Sequence, residues 1–270
     1  RKAEVLKEEL IAETVALFPK IRMKSNREAG ERKFLRQIER SAESFDVVFR
    51  VFSPDKVDRT ASMLSGPFFT TKKHPIPTAH GEMMYPIVQI DLRVASELVD
   101  EELGDGLLQL WYENKTFEGV VRVIPRTDVV PAKATDFAFT PPEDMDGFPL
   151  PFNWNSDPLG EEVRVISKFK STGVSSQDEY PEIYLDETDV AIPDTFFKLL
   201  TKFEKLTLDK GDDFFHMFGT FYPIQYSAAD VKGKCLCHIG CDWGSSGNAQ
   251  IFYVIDKNKK VSFWFGHSMR

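Results

Sequence analysis

Three cysteines in 270 residues, all between positions 235 and 241, are too few and too close together to build a disulfide framework. No stretch reaches the roughly 18 consecutive apolar residues that read as a membrane-spanning helix. The opening RKAEVLKEELIAETVALF alternates charged with apolar side chains and lacks the unbroken apolar core of a secretory signal. These absences predict a cytoplasmic protein with no membrane partner. Basic charge is also in short supply: 34 Lys and Arg face 42 Asp and Glu, for a net charge of -8. Phosphate backbones are gripped mainly by clustered Lys and Arg, so nucleic acid is not expected as a partner and a basic protein face is favoured. No Walker loop or dinucleotide fingerprint occurs, and none of the five histidines has the H-x3-H spacing that puts two ligands on one helix face.

What is present is an ordinary globular balance, 42% hydrophobic and 28% charged, with 23 Phe that favour sheet packing. Residues 2 to 18 read as an amphipathic helix carrying Val5, Leu6, Leu10, Ile11, Val15 and Leu17, and residues 27 to 42 as a second, with Phe34, Leu35 and Ile38. Strand patterns follow in DVVFRVFS (46 to 53), MMYPIVQIDL, GLLQLWYE and EGVVRVIP, then in EEVRVISKF and at the end in KKVSFWFGHS. Between them, residues 131 to 160 are proline-rich and irregular, and Asp194 caps a helix predicted over 195 to 206.

The sequence also echoes itself. Gly66, Pro67, Phe68 and Phe69 precede VQIDL and then GDGLLQLWY, while Gly219, Phe221, Tyr222 and Pro223 precede CHIGCDWG and then GNAQIFY. Gln89-Ile90-Asp91 lies against His238-Ile239-Gly240, and Gln109-Leu110-Trp111-Tyr112 against Gln250-Ile251-Phe252-Tyr253. A glycine-marked turn, a strand, a polar gap and a second strand make a duplicated antiparallel unit, spanning about 60 to 130 and 215 to 256. The expected architecture is α+β. It is a single domain, mainly an antiparallel sheet of two related strand-turn-strand units, with N-terminal amphipathic helices over about 1 to 45 and one helix near 195 to 206.

PIVQIDL with GDGLLQLWY, and FGTFYPIQ with CLCHIGCDWGSSGNAQIFYVI, resemble the repeated signatures of the YwqG-like family of bacterial proteins. The match covers about two fifths of the chain. Trp243-Gly244-Ser245-Ser246-Gly247 stands where the family has W-G-D-x-G, so its acidic residue is missing, and His238 replaces a strand glutamine. The resemblance implies a sheet-dominated α+β protein with no established enzymatic activity, in a family some of whose members occur beside toxin genes as immunity proteins.

The densest chemical cluster is KCLCHIGCDW. Structural zinc wants ligands spaced C-x2-C or longer and a second pair from elsewhere; here Cys235 and Cys237 are two apart and share one face of a regular strand, with Leu236 and His238 on the other. No metal, no cofactor and no catalytic residue is assigned, and the thiols are expected to be sheet packing. A strand supplies no helix dipole to activate a thiol. GSSG at 244 to 247 runs into a strand rather than a helix, so it is a turn and not a nucleophile elbow.

Two functions follow. In the first, a non-enzymatic cytoplasmic immunity protein occludes a cognate toxin through a basic face of that toxin. Asp100, Glu101, Glu102 and Asp105 in the first polar gap, with Asp242 and Trp243 in the second, then form the partner-binding residues. In the second, an enzyme or small-ligand protein lines a pocket between the units with Gln89, Gln109, His238 and Gln250.

Overall fold

A computed structural model describes residues 2 to 17, 42 to 113, 118 to 137, 163 to 175, 198, 215 to 219, 233 to 243 and 247 to 268. The fold is α+β and dominated by antiparallel sheet. Helix α1 (Lys2–Leu17) forms where its sequence predicts. Leu10 is buried and Ile11 partly so, whereas Val5 and Val15 are exposed. The second predicted helix lies outside the described residues up to Ala42, where β1 begins. The helix predicted over 195 to 206 also lies outside them, apart from the helical Lys198.

The strands are β1 (Ala42–Phe52), β2 (Met63–Leu64), a small hairpin of β3 (Thr78–Ala79) and β4 (Glu82–Met83), β5 (Tyr85–Asp91), β6 (Gly106–Tyr112) and β7 (Gly119–Pro125). After these come β8 (Val163–Ser175), β9 (Phe215–Phe218), β10 (Lys234–Trp243), β11 (Gly247–Ile255) and β12 (Val261–Ser268). All but the small hairpin join one sheet in the order β12-β11-β10-β9-β1-β8-β2-β5-β6-β7. The same four-stranded pattern therefore stands at each end: β2-β5-β6-β7 and β9-β10-β11-β12.

The repeat extends to register. Gln89 pairs with Gln109 and His238 with Gln250, the positions that the sequence echo aligns. Each unit has a bulge at the matching place, at Ile87 in β5 and at Leu236 in β10. The turn after the first strand is alike too: Ser65 and Phe218 both adopt positive φ, 49° and 56°, ahead of Gly66 and Gly219. The second unit runs on through β12, which matches β7 and lies beyond residue 256. Between the units sit β1 and β8, exchanged: β1, from the first half, pairs with β9, and β8, from the second, pairs with β2.

The sheet curls until its outermost strands meet. The Phe265 ring of β12 lies against Gly119 of β7, where any side chain would strike it, and it packs edge-on to Tyr112 at 6.0 Å. No ladder joins β7 to β12 among the described residues. Ile90, Leu108, Leu110 and Tyr112 share one buried core inside the curl with Met217, Leu236, Ile251 and Tyr253. This mutual burial of apolar side chains is what holds the units together.

Candidate functional site

On the face turned away from that core, the first unit carries a buried polar network. Strand alternation puts Gln89 and Gln109 opposite each other there. Gln89 Nε2 donates to the carbonyls of Arg59 (2.8 Å) and Ala61 (2.7 Å). Gln89 Oε1 accepts from the Phe69 N–H (3.0 Å) and from Gln109 Nε2 (2.7 Å). Gln109 Nε2 also donates to the Phe69 carbonyl (2.8 Å), and Gln109 Oε1 accepts from Trp111 Nε1 (3.1 Å) and Arg122 Nε (2.9 Å). Both amides are saturated, so neither has a bond to offer a ligand without breaking the network.

Two arginines complete this layer. Arg59 donates to the carbonyls of Pro67, Phe68 and Thr135 and lies over the Phe137 ring. Arg122 lies over Trp111, its guanidinium carbon 5.2 Å from the ring centre, and donates to the Pro75 carbonyl. Burial pulls the Arg122 pKa down to about 10, and its Nη2 is buried without an acceptor. The sequence reading missed both arginines. Arg122 was detectable in principle, because it stands across from Gln109 in the next strand.

The second unit fills the equivalent row differently. His216 pairs with His238, which pairs with Gln250. The imidazoles stack at 4.9 Å and 19°, and Gln250 Nε2 lies 3.4 Å from His238 Nδ1. Burial, with His216 alongside, holds the His238 pKa down at about 3, so the ring is neutral at physiological pH. The cysteines are buried and free of disulfides at 235 and 237. The bulge at Leu236 overturns the face assignment drawn from a regular strand: Leu236 and Cys237 both enter the core with Ile239. Burial raises the Cys235 thiol pKa well above its usual range and that of Cys237 to about 12. Both are therefore thiols, not thiolates, at neutral pH.

The predicted partner-binding residues separate on inspection. The first polar gap is not simply a loop, since α2 (Leu92–Val99) occupies most of it, N-capped by Asp91, whose side chain accepts from the Arg93 N–H. Helical spacing buries Leu92 and Ala95, a signal hidden in the sequence by the flanking acids. Asp100 ends the helix in a left-handed conformation and is exposed, as is Glu102. Glu101 instead reaches across to the second unit, pairing with Lys234 and accepting from Tyr253 Oη (2.8 Å). Burial, with that carboxylate alongside, raises the Tyr253 pKa.

Asp105 pairs with Arg126 (3.1 Å), which also holds Asp91 (2.6 Å). Asp242 and Trp243 are not in a gap at all: their backbone belongs to β10, with Trp243 across from Gly247, and their side chains lie outside the description. Residues 244 to 246 are outside it too. Among the described residues no group of three His, Cys, Asp or Glu side chains is arranged to hold a metal ion, and no helix is long and apolar enough to cross a membrane. The chain matches no protein-family model and no curated protein.

Proposed function

We propose that this chain is a non-enzymatic binding protein, an immunity protein that occludes a bacterial toxin through the acidic corner at α2. One observation carries the reading. Glu97, Asp100 and Glu102 are exposed together on α2 and its following turn, and among the described residues no cation lies within ion-pair distance of any of the three. Val94, also exposed on α2, adds apolar area for contact. Such a corner steers a basic protein face toward it and fixes its orientation.

The buried polar chemistry supports the same reading. The first unit's amides are spent on one another, and the buried thiols are held protonated, so a pocket lined by Gln89 and Gln109 has no observation in its favour. The resemblance to the YwqG-like family agrees with a binding role. Within the proposed interface Asp100 and Glu102 are the contact acids and Asp105 lies at its margin. Glu101 is already engaged by Lys234 and Tyr253 of the second unit.

The test is to co-express the chain with the toxin encoded by a neighbouring gene. A stable complex is expected, with the toxin neutralised. Replacing both Asp100 and Glu102 by Lys should weaken the complex about tenfold at low salt, mainly through slower association. A purified protein that neither binds nor neutralises that toxin removes the proposal.

A further inference from the structure

The two exchanged strands at the middle of the sheet carry a charge pattern opposite to that of the whole chain. Alternation along β1 places Asp46, Val48, Arg50 and Phe52 on one face and Val47 and Phe49 on the core side. The register puts Lys170 across from Asp46 and Lys168 across from Val48. Lys168, Lys170 and Arg50 are all exposed. Asp46 is partly buried and is the one acid at these positions. The face thus carries two more positive than negative charges, in a chain whose net charge is -8. Val48, 46% exposed, lies among the cations, and Phe52, 37% exposed, follows Arg50 at the end of β1.

We propose that this central face of β1 and β8 is a second docking surface, and that it binds an extended acidic segment of a partner protein. β1 and β8 pair with each other from Ala42 to Phe52, and the side chains that make this pattern stand on the sheet face, so the partner lies across the face. Lys168 and Lys170 are two residues apart on one strand, about 7 Å, which is also the spacing of alternate side chains in an extended peptide. Alternate side chains of such a segment face the sheet, so acidic ones at that interval meet the cations while those between them point away. The Ser167 hydroxyl, donating to the Val48 carbonyl at 2.9 Å, fixes the backbone at the bulge between these residues.

A nucleic acid fits less well. Its dense charge is repelled by the acidic remainder of the chain, and base stacking asks for several aromatic rings where this face offers one. The surface is separate from the acidic corner at α2 and takes the opposite charge, so it stands or falls independently of the toxin reading.

The experiment uses the full chain and a short fluorescein-labelled peptide of alternating Glu and Val, followed by fluorescence anisotropy. A Lys and Val peptide and a short oligothymidylate serve as comparisons. The Glu peptide is expected to bind, more weakly as salt rises, and the other two to bind at least about tenfold more weakly. Arg50→Glu with Lys168→Glu should abolish binding. Lys257→Glu with Lys260→Glu, which changes net charge equally at the exposed turn between β11 and β12, should leave most of it. Circular dichroism establishes that both variants are folded. Equal loss in both variants, equal binding of the Lys peptide, or tighter binding of the oligonucleotide overturns the proposal.

Discussion

Where the first unit sets Gln89 against Gln109, the second sets His238 against Gln250, on strands with the same pairing and the same bulge. The backbone plan is therefore indifferent to which polar pair occupies the row. What differs is how the row is satisfied. Two amides offer four donor hydrogens and two acceptor oxygens, and the first unit uses them to tie the covering segment from Arg59 to Phe69 onto the sheet. In the second, the His238 ring stacks on that of His216 and lies 3.4 Å from the Gln250 amide. The first unit's paired amides do not titrate, whereas the second has the titratable His238 in the same position.

The largest expected effect comes from removing the amide at the centre of the first network. Gln89→Leu leaves the Phe69 N–H, two carbonyls and one Gln109 donor without their partner, and should cost about 3 to 5 kcal/mol in urea unfolding. The equivalent His238→Leu removes one long hydrogen bond and should cost about 1 to 2 kcal/mol. Equal costs would mean that the two rows do the same structural work, and the contrast drawn between them would be lost.

Acid provides the next largest effect. With its folded pKa at about 3 and an unfolded value near 6.5, His238 stays neutral in the fold while the unfolded chain takes up a proton. Its contribution to stability is full above about pH 6.5 and declines as pH falls toward 3, by about 2 kcal/mol between pH 6.5 and 5. His238→Gln copies the first unit's residue and should flatten that decline when urea midpoints are compared at pH 7 and pH 5. An unchanged decline would assign the acid sensitivity to other groups. The smallest effect concerns the contact between the units. Tyr253→Phe removes the hydroxyl that donates to Glu101 and should cost about 1 kcal/mol; no measurable change would mean that the shared core alone holds the units together.

Much of this was legible from the chain. Alternating apolar residues placed β5, β6, β7 and β12, and aligning the two halves matched the equivalent positions of the two units, because both depend on short-range pattern. The exchange of β1 and β8 was not legible, since it rests on pairings such as Asp46 with His216 between distant parts of the sequence. Nor were the bulges, which flip a face without altering composition: the cysteine assignment failed at Leu236 for that reason. At the candidate site, the acidity of 100 to 105 was plain, but the division of labour among its residues was not. Glu101 and Glu102 are neighbours in sequence, and only the tertiary fold brings Lys234 and Tyr253 to one of them.

The exchanged strands also bear on how such a chain is made. During synthesis β1 emerges first, yet both of its neighbours, β8 and β9, come from the second half. β2, β5, β6 and β7 can pair as they appear, but the outer side of β2 waits for β8, and β1 waits longer still. A nascent first half thus holds an unpaired strand and an unfinished sheet edge on the ribosome, the kind of exposure that invites wrong pairing. The second half closes both gaps, β8 first and β9 after it, so completion of the sheet is an event of the whole chain and not of either repeat.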